Sequence, residues 1–411
     1  MLTRRRFLFT LPAAAALPRL ALVGAEAQSF VNPLKKKAPV PPGPTFVYFA
    51  TDTAKGVAKG IYLSRFDGAA GHLTAPVLVA ETVRPSYLAI SAPVGGHRRI
   101  YAANEGNAAT DTLSSFLMDP ATGALQLINK VSSAGPGPAY LSLDATGDSA
   151  FVADYAGGTV ATYHVHRDGS LSEPVERYDF RDAKFGSRGP VAARQEGPHP
   201  HSVHLSPDNR FLLVNDLGSD SITVFPVDTV TARLGPPEVF TNARAGVGPR
   251  HIAFHPNGRW LYSINEIDSS IDHFLWTTTS SRTEPHGQLV NMGHFVKTIA
   301  ADFPAAKNTA AEVMISPDGM FLYASNRGED SLVVFSITPE DGTLVFLQRI
   351  ACGGKTPRHF TFSADSEASW ILCGNQDSAT VTVFRRHTET GKLAGPVQSL
   401  ALDSVMFTLF A

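Results

Sequence analysis

Apolar and polar residues alternate along this chain in short bursts, and the bursts come in pairs. Arg259 to Phe274 (RWLYSINEIDSSIDHF) runs from an apolar strand through a polar corner into a second strand. Met320 to Phe335 (MFLYASNRGEDSLVVF) has the same period, and Arg210 to Phe225, Ser369 to Phe384 and Asp148 to Tyr163 fit the same frame. Arg98 to Phe116 fits it with a short insertion. A second repeat precedes each frame: Pro85-Ser86-Tyr87-Leu88, Pro138-Ala139-Tyr140-Leu141, Pro200-His201-Ser202-Val203, Pro249-Arg250-His251-Ile252 and Pro357-Arg358-His359-Phe360. Ala310-Ala311-Glu312-Val313 takes that place in the fifth copy. Turns such as Ser206-Pro207-Asp208-Asn209 and Ser316-Pro317-Asp318-Gly319, with proline second, then join two strands. The unit is a β-hairpin, repeated six times.

The seventh position of the frame is Asn104, Asp154, Asp216, Asn265, Asn326 and Asn375, at successive spacings of 50, 62, 49, 61 and 49 residues. That period is the size of a four-stranded propeller blade. Thr45 to Phe66 reads as a seventh copy without its first strand, and Ser404 to Phe410 can complete it. The expected fold is therefore all-β: a seven-bladed β-propeller of four-stranded antiparallel blades over 45–411, closed by pairing of its N- and C-terminal strands. Closure matters because an open array leaves two unpaired edges.

A hairpin brings the start of its first strand beside the end of its second. The residue after the leading proline and the eighth frame position should thus meet at one end of every blade, around the axis. The seventh position is Asn or Asp throughout, as a corner requires. The eighth differs each time (Glu105, Tyr155, Leu217, Glu266, Arg327, Gln376), and so does the post-proline position (Ser86, Ala139, His201, Arg250, Ala311, Arg358). Varied ionisable residues converging on one concavity point to a site. Arginines clamp anions and stabilise an oxyanion, while Glu266 or His201 can move a proton. An axial salt-bridge network that only closes the channel is the competing structural reading.

Composition narrows the choice. A net charge of −2 gives no basic field for nucleic acid or an anionic membrane. Two cysteines, Cys352 and Cys373, build no disulfide framework, and two free thiols in or beside strands are expected. The chain opens with Thr3-Arg4-Arg5-Arg6-Phe7-Leu8, which looks like a twin-arginine export motif, then an apolar stretch and Ala25-Glu26-Ala27 as a cleavage site. Pro12, Pro18 and Arg19 interrupt that stretch, against a membrane span. Residues 1–27 are expected to be an export signal and 28–44 a proline-rich linker, leaving a periplasmic or secreted domain.

The chain also resembles the seven-bladed β-propeller lactonases, which include bacterial 6-phosphogluconolactonases and fungal carboxy-cis,cis-muconate cyclases. The resemblance runs from about Thr45 to near the C-terminus. It rests on Arg194-Gln195-Glu196-Gly197-Pro198-His199-Pro200-His201, Gly248-Pro249-Arg250-His251, Ala311-Glu312-Val313, Ser325-Asn326-Arg327-Gly328 and Gly353 to Phe360. It implies catalytic roles for His201, Arg250, Glu266 and Arg327, the same residues that hairpin geometry gathers. Arg358, Glu105, Tyr155 and Gln376 are the expected substrate contacts. The implied activity is hydrolysis of a small anionic or sugar lactone, with no metal or cofactor: the arginines hold the substrate while Glu266, helped by His201, activates water or protonates the ring oxygen. An exported address suits a sugar or aldonic lactone. His199 and His201 as metal ligands lack a third partner at recognisable spacing. His204, His251, His255 and His359 are expected to pack or hydrogen-bond, and Glu312 to orient an arginine or face the blade interior. Two other functions stay open: a non-catalytic binding propeller, and a calcium-dependent gluconolactonase, whose carboxylate and amide cage the nearby arginines would disfavour.

Overall fold

The repeats pair as hairpins, and each hairpin gains two further strands. In the fourth blade Pro249–Phe254 pairs antiparallel with Trp260–Asn265, then come Ser270–Thr278 and Gly287–Lys297. This computed structural model describes residues 45–106, 111–242, 244–279, 281 and 285–411, and the expected signal and linker lie outside them. Seven such sheets make up the described residues. Their other innermost strands are Pro85–Ile90, Pro138–Leu143, Pro200–Leu205, Thr309–Ile315, Pro357–Phe362 and Val405–Phe410. Each packs beside the innermost strand of the next blade, and Val405–Phe410 packs beside Pro85–Ile90. The ring is closed by strand pairing, with Val47 of Thr45–Thr51 opposite Phe410 and Phe49 opposite Thr408. Two blades carry one more short strand than the four expected, His72–Leu73 and Arg233–Leu234.

Blades stand face to face, so a second-place strand such as Trp260–Asn265 is buried along its whole length. An outermost strand such as Leu344–Ala351 is largely open. The hydrophobic core accordingly lies between blades. Tyr262, Ile264 and Ile271 of the fourth blade pack on Leu322, Val333 and Phe335 of the fifth. Each fully buried side chain of this size contributes about 1.5–3 kcal/mol. A polar contact at each of several interfaces sets the spacing: the Tyr262 hydroxyl donates to the Gly342 carbonyl at 2.6 Å, Tyr48 to Gly123 and Tyr323 to Gly391. Gly342 has φ +78°, and a Cβ there would fall within 3 Å of Trp260 and His273.

The seventh frame position has a structural task. Asn265 donates to the Ser270 hydroxyl and Asp272 carboxylate, Asn375 to the Thr380 and Thr382 hydroxyls, and Asp216 accepts from the His199 and Gly218 amides. Each ties the second strand to the third or to the segment entering the blade, and all six such residues are buried. Cys352 and Cys373 are free and buried.

Candidate active site

Every innermost strand breaks register at the same place. Pro200 stands opposite Asp216, but Ser202 stands opposite Asn215, which leaves His201 as the extra residue of a β-bulge. Arg250, Arg358, Ser86, Ala139 and Met406 are extra in the same way, and the fifth blade skips Ala311 and Glu312. A bulge leaves its residue outside the ladder and turns its side chain. The post-proline position is therefore aimed by backbone geometry, whatever residue occupies it.

Four of the expected site residues meet around one carboxylate. Glu266 Oε2 lies 3.0 Å from Arg250 Nε and 2.7 Å from an Arg327 Nη2. His201 Nε2 is 3.9 Å from the same oxygen. The other oxygen, Oε1, is bonded by the guanidinium of Arg194. Burial alone would raise the Glu266 carboxyl, but the guanidinium groups of Arg327, Arg250 and Arg194 hold it well below the usual carboxylate range. Burial, reinforced by Arg250 and His251, pushes the His201 imidazole well below its ordinary value, so it is neutral. Its Nδ1 is buried and has no hydrogen-bond partner among the described residues. Arg250 is pulled down by burial and by Arg327 to about 9, still cationic at neutral pH. It also donates to the Ala311 carbonyl, as Arg327 does to that of Ala310, so carbonyls at and beside the fifth blade's bulge orient both arginines.

These states divide the labour that the sequence left shared between Glu266 and His201. A carboxyl held ionised by three guanidinium groups has no proton to give at neutral pH. The neutral imidazole can accept a proton, whereas the Glu266 anion aligns the arginines.

The four expected substrate contacts are placed less uniformly. The Tyr155 hydroxyl accepts from Arg194 at 3.4 Å, and its ring meets His201 edge-on at 5.4 Å. Glu105 faces Arg84 at 3.6 Å, and Arg84 in turn bonds Asp52 at 2.9 Å. Arg358, lowered by burial and by the neighbouring charge of Arg327, makes no hydrogen bond or ion pair through its side chain among the described residues. Gln376 is buried at the start of a short 3-10 turn, and its side chain is not bonded to the Glu266 cluster.

Beneath this cluster lies a second polar layer. Glu312 faces His251 (3.1 Å) and His359 (3.5 Å), and His251 lies against the Arg250 guanidinium. Glu312 therefore bridges the innermost strands of the two flanking blades rather than facing into its own blade. The Thr408 amide donates to His359 Nδ1, which puts the His359 proton on Nε2, toward Glu312. The Tyr87 and Tyr140 rings lie under this layer, 3.9 Å apart and tilted by 32°. A cavity of about 440 Å³ lined by Tyr87, Tyr140, Asp144, Met314, His359 and Phe407 lies at the other ends of the innermost strands. It contains none of Glu266, Arg327 and His201.

Arg194 opens the first motif of the lactonase resemblance, but the sequence reading gave it no role in the site. It sits on the segment between Glu176–Asp179 and Pro200–Leu205, outside the repeat. The 62-residue spacing from Asp154 to Asp216, one of two long spacings beside the 61 from Asn265 to Asn326, was a further signal that this segment carries something extra.

Comparison with known proteins places these features. The family model described as "Lactonase, 7-bladed beta-propeller" matches residues 46–410. A 6-phosphogluconolactonase of Bacillus subtilis is 29% identical over 347 residues, 84% of this chain and 92% of its own length. A 6-phosphogluconolactonase of Formosa agariphila is 30% identical over 368 residues, 87% of this chain and 97% of its own. The solved structure of a periplasmic gluconolactonase from Pseudomonas aeruginosa superposes with a TM-score of 0.77 at 30% identity, covering 90% or nearly so of both molecules (89% and 98%).

Proposed function

The chain belongs to the seven-bladed β-propeller lactonase family, and from that premise we propose that it hydrolyses a small anionic or sugar lactone without a metal. The observation that carries this reading is the Glu266 carboxylate gripped by Arg250, Arg327 and Arg194, with neutral His201 3.9 Å away. An oxygen about 2.8 Å from each of these two atoms sits beside the line joining them, so a water or substrate hydroxyl can bridge imidazole and carboxylate from one side. Arg250 and Arg327 polarise the lactone carbonyl. Water adds to the carbonyl carbon and gives one proton to His201, and the negative charge passes to the carbonyl oxygen beside the guanidinium groups. Collapse of that intermediate breaks the bond between carbonyl carbon and ring oxygen. The ring oxygen takes the proton from His201 and leaves as a hydroxyl, and the new acid ionises to a carboxylate. Arg358, a cation with no bonded partner among the described residues, supports preference for a substrate with a second anionic group. The guanidinium groups around Glu266 repel a divalent cation, which supports the metal-free route. Export is part of the same proposal, resting on the motif at Thr3 to Leu8 and the cleavage site at Ala25 to Ala27.

The test is turnover of a lactone panel (glucono-, 6-phosphoglucono- and carboxylated lactones) with and without chelator, by wild type and Glu266→Gln. Chelator-resistant hydrolysis that falls at least about a hundredfold in the variant is expected. No turnover of any lactone by folded protein sinks the enzyme reading and favours a binding propeller, while loss on chelation favours the calcium-dependent type.

A further inference from the structure

Three arginines hold Glu266, but they are not held alike. Arg250 and Arg327 are blade residues with side chains 3% and 14% exposed, and each has a backbone carbonyl, of Ala311 and Ala310, as a further partner. Arg194 is 35% exposed and approaches from the segment outside the repeat. Among the described residues its only other side-chain partner is the Tyr155 hydroxyl, at a long 3.4 Å. Among the three, it is the one whose side chain solvent or a ligand reaches.

The backbone beneath that side chain is fixed. Gln195 donates to the Leu217 carbonyl (2.9 Å) and the Asp220 carboxylate (2.8 Å), and accepts from the Val191 amide. The Gly189 amide donates to Gly218, and the Arg194 amide to Val191. On the far side, His199 stacks on Tyr155 at 4.4 Å and bonds its carbonyl. A pinned backbone under an exposed arginine leaves side-chain rotation as the available motion, with no loop to open.

We propose that Arg194 is an exchangeable anion hook: it covers Glu266 Oε1 in the free protein and transfers to the remote anionic group of the substrate when that binds. This rests on the lactonase reading and deepens it. Two consequences follow from the geometry. A substrate bearing phosphate or carboxylate away from the lactone gains a charge-assisted, bidentate partner. The transfer also bares Oε1 as an acceptor for the attacking water, whereas Oε2 stays engaged by Arg250 and Arg327. Arg194 would thus be a specificity-determining residue that couples occupancy of the anion subsite to completion of the site. A neutral lactone has nothing to exchange for the carboxylate and meets a covered Oε1.

The experiment compares wild type, Arg194→Met and Arg194→Lys. Calorimetric binding of 6-phosphogluconate and of gluconate is measured beside the kinetics of the corresponding lactones. The expected result for Arg194→Met is at least tenfold greater loss of affinity for 6-phosphogluconate than for gluconate. The same charge-selective split should appear in KM, with partial recovery in Arg194→Lys. Equal losses for both ligands, or a lowered melting temperature with unchanged binding, overturn the proposal. The binding arm reads the hook without turnover, so equal losses of both ligands in Arg194→Met reject the hook, and a charge-selective loss of binding with no lactone turnover by wild type rejects the lactonase reading instead.

Discussion

Arg250 Nε lies 3.0 Å from Glu266 Oε2, and both side chains are almost sealed from solvent, at 3% and 5% exposure. Removing one member of a buried ion pair leaves a desolvated charge and typically costs about 3–5 kcal/mol. Arg250→Met is expected to lose stability on that scale by urea denaturation, and lactone turnover by at least a hundredfold. Glu266 keeps Arg327 and Arg194, so the lower end of the range is expected. A variant as stable as wild type would show that the pair is solvated in solution.

Arg358 predicts the opposite balance. It has no bonded anion among the described residues and stands in the field of Arg327. Arg358→Ala should change stability by less than about 1 kcal/mol, because lost packing is offset by relieved repulsion. Steady-state kinetics should show KM for a charged lactone rising about tenfold or more, with a smaller effect on kcat. A change confined to kcat would place Arg358 at the reacting carbonyl instead.

Acid should weaken the fold through its histidines. Burial lowers His201 and His251 well below 6.5, His204 to about 3, and His273 and His359 to about 4. These imidazoles are neutral when folded, whereas the unfolded chain binds protons below pH 6.5. The stability they allow is therefore complete above that pH and is lost as pH falls toward the folded values. Burial raises Glu312, Asp154 and Asp216, which take protons in the folded chain and oppose the trend. Five histidines against three carboxyls leave a net loss. One net proton corresponds to about 1.4 kcal/mol per pH unit. Calorimetry should show the melting temperature falling from pH 7 to pH 5, and a flat profile would contradict the neutral histidines.

Gly342→Ala tests the blade interface apart from the site. The backbone at φ +78° penalises any L side chain by about 1–2 kcal/mol. The added methyl would also meet Trp260 and His273. Thermal unfolding should register a loss of at least that size while ligand binding is retained. Unaltered stability would mean that the turn relaxes freely and that the Tyr262 contact does not fix blade spacing.

The repeat made most of the fold legible, because a blade is specified by local pattern: strand, turn, strand, and an Asn or Asp at the corner. Asn265 and Asn375 could be assigned structural work from their constancy among blades alone. His201, Arg250, Glu266 and Arg327 were legible as neighbours because hairpin ends meet whatever their side chains are. The bulges were not legible. They arise from hydrogen-bond register across two strands, and nothing in Pro200-His201-Ser202 marks the middle residue as unpaired. Arg194 escaped for a different reason: a residue outside the repeat has no counterpart in other blades to vary from. The ionisation of Glu266 was also hidden, since it depends on guanidinium groups from three separate segments converging in space.

The seam of the ring has a kinetic meaning. Thr45–Thr51 pairs on one side with Gly60–Asp67, its near neighbour in the chain, and on the other with Val405–Phe410. The latter strand is synthesised only after the six intervening blades. A contact of such span carries its chain-closure entropy before any compensating contact forms. Refolding should therefore have a slow final phase in which blades already built wait for the seventh to be joined. During that interval the open seam is where two copies would pair with one another instead.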